Sequence, residues 1–258
     1  MFSRWSIMKV FVTGGTGTIG AITIKELSQM GYEVFFQYGS NEIMAERIEN
    51  NCGAKGIKIK FGDELRNVDL HRLGVPSDCD ILINCIGAHI VVQNAETVTT
   101  EAADMLYKIN VEVPFMFIRH MLPYMKLRSF GKIINLSSVC GLKVGENNIP
   151  YIISKHALSA LTKCIALEYE NVGIRCNEIC PSAVKSKMND FILAEEAKIY
   201  KIRLEDYIRQ EQPDGALEPE AVVNAVLYLL SDSAAMLNGV SLVVDDGSSP
   251  YCKEDIRL

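Results

Sequence analysis

Lys9-Val10-Phe11-Val12-Thr13-Gly14-Gly15-Thr16-Gly17-Thr18-Ile19-Gly20 is the stretch on which the fold turns. Its first five residues form a short, largely β-branched apolar run, and a glycine-rich turn follows. From Ile19 to about Met30 apolar residues return at helical spacing, with Ile19, Ile22, Leu27 and Met30 on one face and Gly31 as the stop. The pattern predicts a strand, a tight turn and a helix. It then recurs. Short apolar runs around Val34 to Phe36, Ile57, Ile59 and Phe61, and over residues 81–84, 132–136, 175–179 and 241–244, predict six further strands. Between them lie helical stretches carrying Ile43, Met44 and Ile48, then Met105, Ile109, Val113 and Phe117, then residues 151–170 and 218–230, the last opening on Pro219. Strands that are short, apolar on both faces and joined by helices imply a parallel sheet covered on both sides.

No Pro/Gly/Ser-rich linker, repeat or low-complexity tract interrupts the 258 residues, so residues 1–258 are expected to form a single domain. The irregular part is residues 182–214, a polar, charged, two-helix insertion after the sixth strand. It is expected to act as a substrate lid, because open α/β sheets bind ligands beyond the carboxyl ends of their strands. With 48% hydrophobic and 22% charged residues, the composition excludes disordered, collagen-like and coiled-coil classes. Twenty-six basic against 32 acidic residues give a net charge of -6, which argues against nucleic acid or an anionic membrane as partner. No apolar run has the length of a bilayer span, and the residues before Met8 are too few for a signal peptide, so the expected compartment is the cytoplasm. Cysteines 52, 79, 85, 140, 164, 176, 180 and 252 contain no Cys-x-x-Cys pair and no His at ligand spacing, which predicts reduced thiols and no metal site.

The glycine segment lies between strand and helix, the context in which glycines let backbone approach a pyrophosphate and a helix N-terminus favours its charge. The fold class is therefore α/β, a Rossmann-like, doubly wound parallel sheet flanked by helices on both faces. Some 20 residues beyond, Phe36-Gln37-Tyr38-Gly39-Ser40-Asn41 has no carboxylate to accept a ribose 2'-hydroxyl. Tyr38 lies in the turn that follows the strand, and Ser40 and Asn41 are small donors suited to a 2'-phosphate. The preferred cofactor is NADP(H), with NAD(H) as the alternative. Further along, Tyr151 and Lys155 stand four residues apart on one helical face, and Ser138 follows the strand at 132–136. A phenol with an ordinary pKa of about 10 exchanges a proton near neutrality only with help such as a neighbouring cation. Lys155 is placed to supply one.

This ordered set of motifs resembles the classical short-chain dehydrogenase/reductase family from Met8 to about Ser249. The resemblance rests on Thr13 to Gly20, Asp63, Asn84-Cys85-Ile86-Gly87, Asn110, Ser138, Tyr151-x-x-x-Lys155, Asn177, Cys180-Pro181-Ser182 and Asn238-Gly239. Within the family the pattern is most like 3-oxoacyl-carrier-protein reductases and related carbonyl reductases. It implies a catalytic tetrad of Asn110, Ser138, Tyr151 and Lys155. Tyr151 would be the general acid, Ser138 would bind the substrate oxygen, Lys155 would hold the nicotinamide ribose and depress the Tyr151 pKa, and Asn110 would hold a water of a proton relay. It further implies that Gly14, Thr16, Gly17, Thr18, Ile19 and Gly20 line the pyrophosphate and Asp63 the adenine. Asn84 and Gly87 would meet the adenosine ribose, and Pro181, Ser182 and Val184 the nicotinamide.

Four positions depart from the family pattern, one of them Asp246, an extra acid where a second glycine is common in the tail. Thr18 stands where a glycine is usual, Ile86 is bulkier than the common alanine, and Ser182 replaces the glycine expected after Pro181. His89, Ile90, Val91, Cys140, Leu142, Val144, Asn147 and Met188 are the candidates to face substrate, a wall suited to a small-molecule or thioester-linked ketone. The expected enzyme is an NAD(P)H-dependent reductase of such a ketone, assembled as a homotetramer or homodimer through the helices at 105–121 and 151–170. The rival readings are an NAD-dependent alcohol dehydrogenase of secondary metabolism and a non-catalytic dinucleotide-binding regulator. The regulator would have no need to keep all four tetrad residues.

Overall fold

The computed structural model describes residues 7–62, 68–91 and 94–248. In chain order the elements are β1 (Lys9–Thr13), α1 (Thr18–Gln29), β2 (Glu33–Tyr38), α2 (Glu42–Cys52), β3 (Lys55–Lys58), β4 (Ile81–Asn84), α3 (Thr100–Tyr107), α4 (Val113–Arg128) and β5 (Gly131–Leu136). They continue with α5 (Ile149–Tyr169), β6 (Ile174–Pro181), α6 (Lys187–Tyr200), α7 (Leu204–Glu211), α8 (Pro219–Leu230) and β7 (Ser241–Val244). The strands form one sheet in the order β3-β2-β1-β4-β5-β6-β7, every neighbouring pair parallel. Strand order reverses between β1 and β4, and this switch point is where such sheets open a crevice.

Alternation along β1 distributes its side chains between two cores. Val10 and Val12 pack with Phe36, Ile24, Leu27, Val222 and Val226 under α1 and α8. Phe11 points the other way, among Leu82, Phe117, Met121, Ile133 and Ile165 under α4 and α5, with its ring 5.2 Å from that of Phe117. A sheet buried on both faces needs residues apolar at every position, which is why β1 and β4 read as continuous runs. The expectation is corrected at the edge: β3 is only KGIK, with both lysines exposed, because an outermost strand has one neighbour and is blunted by charge. The α1 face is also rotated from the one expected. Gly20, Thr23, Ile24 and Leu27 are buried and Met30 is 58% exposed, since Gly20 must lie against the turn and sets the helix's orientation. On α2, Ala45 and Ile48 face inward while Ile43 lies exposed.

Residues 182–214 contain α6 and α7, which pack on each other through Leu193, Ala197, Ile202 and Tyr207 rather than on the main cores. Among the described residues no helix is long and apolar enough to cross a membrane, and seven cysteines are free thiols. The turn from α5 into β6 depends on Gly173, whose φ is 76° and where a Cβ would stand 2.2 Å from the Ser129 carbonyl oxygen. Gly173→Ala is expected to cost about 1–3 kcal/mol of stability. A thermal midpoint equal to that of the unaltered protein would show that the turn relaxes freely.

Candidate active site

At the carboxyl edge of the sheet, the turn after β1 is folded by backbone and by one buried side chain. Gly17 N–H donates to the Gly14 carbonyl (3.0 Å), Gly15 N–H to the Gln37 carbonyl (2.8 Å) and Gly14 N–H to Gln37 Oε1 (2.9 Å). Gly14 has a φ of 65°, and a Cβ there would meet the Ile86 backbone at 2.9 Å. At Gly20 a Cβ would meet the Gly14 carbonyl oxygen at 2.4 Å. The N-cap of α1 is Gly17, which brings no capping side chain, and the first turn has no acidic residue. A helix start with uncapped N–H groups and unneutralised dipole, framed by close-packed glycine, fits a pyrophosphate. Thr16, Thr18 and Ile19 sit on the same turn.

Gln37 did not figure among the sequence candidates. It is almost wholly buried, and its Nε2 donates to the Ile59 carbonyl at 2.8 Å, so it ties the glycine turn to the residue just after β3. A lone amide inside an apolar strand was the available signal. Tyr38 ends β2 itself, Ser40 is exposed in the turn, and Asn41 caps α2 by accepting from the Met44 N–H (3.2 Å). Sequence placed no cation at this turn, but the sheet brings one. Lys58 is the register partner of Tyr38 across β3 and pairs with Glu42 in the first turn of α2. Asp63 lies outside the described residues. Asn84 follows at the end of β4, its side chain turned into the sheet. It accepts from Thr13 Oγ1 (3.3 Å) and donates to Asn135 Oδ1 (2.9 Å), leaving backbone at the cleft. Gly87 lies close by: a Cβ there would be 3.7 Å from both Asn110 Oδ1 and Lys155 Nζ.

The four tetrad candidates come together across β4, β5 and the start of α5. Asn110 sits in a one-turn π-helix (Lys108–Glu112) between α3 and α4 and is fully buried. Its Oδ1 accepts from Ala88 N–H (2.8 Å), and its Nδ2 donates to the Ala88 carbonyl (3.0 Å) and Ser154 Oγ (2.9 Å). Ser154 in turn donates to the Tyr151 carbonyl at 2.7 Å, so Asn110 braces the first turn of α5. Ser138 Oγ accepts from Cys140 N–H (3.1 Å) and lies near enough to the Tyr151 phenol to favour its ionised form. Lys155 Nζ donates to the Leu136 carbonyl at 3.0 Å and lies 5.6 Å from the Tyr151 ring centroid.

One electrostatic expectation is overturned. Burial pushes the Tyr151 phenol above its ordinary value, and the Ser138 hydroxyl pulls against that without winning. Burial also lowers Lys155 to about 8. The ammonium is directed at a carbonyl rather than at the phenolic oxygen, so desolvation of the phenol dominates over its charge.

Around this centre, Pro181 ends β6 and Ser182 N–H donates to the Val244 carbonyl (3.0 Å). Val184 bridges to Leu217, closing the base of the α6–α7 insertion. The insertion touches the loop before α5 where Asn147 Nδ2 donates to Tyr200 Oη at 3.4 Å. Of the residues expected to face substrate, Ile90, Val91, Cys140 and Leu142 are partly buried near the strand ends, Val144 is 81% exposed, and Met188 opens α6 at 50% exposed. His89 lies against Tyr151 itself, ring centroids 4.1 Å apart.

Over residues 15–249 the chain matches the family model described as Enoyl-(Acyl carrier protein) reductase. It is similar to Short chain dehydrogenase prhI of Penicillium brasilianum, 31% identical over 176 residues, which are 66% of this chain and 68% of the relative. A solved 4-hydroxyisoleucine dehydrogenase mutant complexed with NADH and succinate superposes with a TM-score of 0.78 at 25% identity, covering 92% of this chain and 96% of that one. An actinorhodin polyketide ketoreductase with NADPH superposes with a TM-score of 0.82 at 23% identity, over 93% and 97% of the two chains, a likeness of fold.

Proposed function

The chain belongs to the short-chain dehydrogenase/reductase family and is an oxidoreductase acting on CH–OH groups with a nicotinamide dinucleotide, and from that premise we propose that it reduces a ketone to a secondary alcohol, with NADP(H) preferred and Tyr151 as proton donor. The observation that carries this reading is the meeting of Ser138, Tyr151 and Lys155 at the sheet edge, beside an uncapped helix start framed by glycine. The bound cofactor supplies the hydride. Gly14, Thr16, Gly17, Thr18, Ile19 and Gly20 hold its pyrophosphate. Asn84 and Gly87 offer backbone to the adenosine ribose, and Pro181, Ser182 and Val184 wall the nicotinamide.

Tyr151 gives its proton to the carbonyl oxygen as the carbon is reduced, and Ser138 donates a hydrogen bond to the same oxygen, where negative charge develops. A phenol raised by burial keeps its proton at neutral pH, which suits an acid in reduction better than a base in oxidation. Lys155, lowered to about 8, is the source of the proton that restores Tyr151 after each turnover, passed on through the water that Asn110 would hold. Asn110 fixes the helix turn that carries the phenol. The partly buried Ile90, Val91, Cys140 and Leu142 form an uncharged wall, matching a 3-oxoacyl thioester or a related neutral ketone. Residues 182–214 serve as the lid over it, within one domain of a cytoplasmic homotetramer or homodimer.

For the 2'-phosphate, Ser40, the free amide hydrogens of Asn41 and the Lys58 ammonium are the recognition groups, with Tyr38 beside the adenosine. The pairing of Lys58 with Glu42 favours a second reading, an NAD-dependent alcohol dehydrogenase, because it neutralises the cation and sets a carboxylate near the ribose hydroxyls. A screen of β-ketoacyl thioesters, cyclic ketones and sugar ketones, followed by nicotinamide absorbance, decides between them. The expected result is kcat/KM at least about tenfold higher with NADPH than with NADH. The reverse ratio establishes the second reading, and no turnover of any ketone defeats both.

A further inference from the structure

Asn148 stands at the N-cap of α5, the helix that carries Tyr151 and Lys155, yet its side chain caps nothing. An Asn at this position ordinarily accepts from the second or third N–H of the helix. Here Nδ2 donates instead to His89 Nε2 at 3.1 Å. The imidazole, reaching in from the segment after β4, lies against the phenol of Tyr151 with centroids 4.1 Å apart and planes tilted by 49°. Among the described residues Asn148 Oδ1 is buried without a hydrogen-bond partner, and His89 Nδ1 has only the Ile90 backbone close to it. The capping bond of α5 is given up to hold one ring on another. Selection for stability would not produce that arrangement, whereas selection for the orientation of Tyr151 would.

We propose that His89, clamped by Asn148, is a positioning residue that walls the Tyr151 ring and holds its hydroxyl within reach of Ser138 and of a substrate carbonyl. The proposal rests on Tyr151 being the proton donor. The ring works in its neutral form, in which Nε2 accepts from Asn148. Burial lowers its affinity for a proton, the Ile90 backbone opposes this in part, and Lys155 from α5 adds a smaller lowering. The other titratable groups around the pair are the thiols of Cys140 and Cys180, which bear on Tyr151, and Glu178, which bears on Lys155 from β6. Protonation of His89 turns Nε2 into a donor facing a donor and adds a cation beside Lys155.

The test uses His89→Ala, His89→Phe and Asn148→Ala, with NADPH and the ketone from the screen that turns over fastest. His89→Ala is expected to lower kcat about tenfold or more by misplacing the phenol. NADPH affinity, read by nucleotide fluorescence, stays within about twofold, since the pair lies away from the pyrophosphate turn. His89→Phe restores part of kcat because it keeps the wall. It is also expected to lack the acid limb that the unaltered protein should show below the ordinary imidazole value of 6.5. Asn148→Ala lowers kcat in the same direction, and combining it with His89→Phe adds nothing. Equal kcat and equal pH profiles in all three variants overturn the proposal. If the proton-donor reading itself is wrong, Tyr151→Phe is as active as the unaltered protein, a separate outcome. An independent readout is the ultraviolet titration of Tyr151, taken as the difference from Tyr151→Phe. In His89→Ala water reaches the phenol and it titrates at lower pH. An unmoved titration there shows that the imidazole is no wall and overturns the proposal without any substrate.

Discussion

Tyr151→Phe is expected to lower turnover about 10²-fold or more while cofactor affinity stays within about twofold. Phenylalanine fills the same space, keeps the contact with His89 and leaves the Ser154 to Tyr151 carbonyl bond intact, because that bond uses backbone. Only the hydroxyl is lost, and with it the proton donor and its interaction with Ser138. The glycine turn is untouched, so a large fall in kcat with unchanged binding isolates the chemical step. Full activity in this variant would remove Tyr151 from the mechanism.

The pH dependence follows from the neighbouring ammonium. With its pKa held down to about 8, Lys155 is charged at neutrality and loses its proton as pH rises through that value. Reductive turnover is therefore expected to fall on the alkaline side of about 8, since a neutral amine can neither reprotonate Tyr151 nor attract the ribose oxygens. The same depression acts on stability with a definite sign. Between about 8 and the ordinary 10.5 the unfolded chain binds the proton more tightly, so this residue's contribution to stability grows with pH across that window.

Gly20→Ala is the second large effect. The added methyl would stand 2.4 Å from the Gly14 carbonyl oxygen, 3.0 Å from the Gly15 Cα and 3.1 Å from the Gly14 carbonyl carbon, all of it backbone with no flexible end to yield. Either α1 moves away from the turn or the turn opens. Overpacking of this kind costs about 1–3 kcal/mol, and any displacement of the N–H groups at the start of α1 falls directly on the pyrophosphate. Dinucleotide affinity is expected to drop about tenfold or more, each factor of ten being about 1.4 kcal/mol. Nucleotide fluorescence checks it, and retained affinity with an intact fold would show that the pyrophosphate is held elsewhere. Gly87→Ala is the internal contrast: its methyl would keep 3.7 Å from Asn110 Oδ1 and Lys155 Nζ and should be far milder.

Several features were legible before any coordinates because they are local. A β-branched run, a glycine turn and a 3.6-residue period depend only on neighbours in sequence, so β1, α1, the parallel array and the α6–α7 insertion follow from the letters. Ser138, Tyr151 and Lys155 were also within reach, since four residues on a helix fix a shared face and a strand end fixes a sheet edge. The face of α1 was misjudged because Met30 satisfies the helical period as well as Ile24 does. What chooses between them is the contact of Gly20 with a turn that the period does not describe.

Sequence alone settled the alternation of strand and helix and the place of the glycines, and it named the candidates for moving a proton. Their electrostatics and their supports came only with the folded chain. Gln37 reaches Gly14, Lys58 meets Glu42, Asn148 takes up His89 and Asn110 holds Ala88 across separations of 16 to 59 residues. No local pattern encodes such distances. The rise of the Tyr151 phenol, where a charged neighbour had suggested a fall, has the same origin: ionisation depends on how much water surrounds the oxygen, and that is set by every element packed around it.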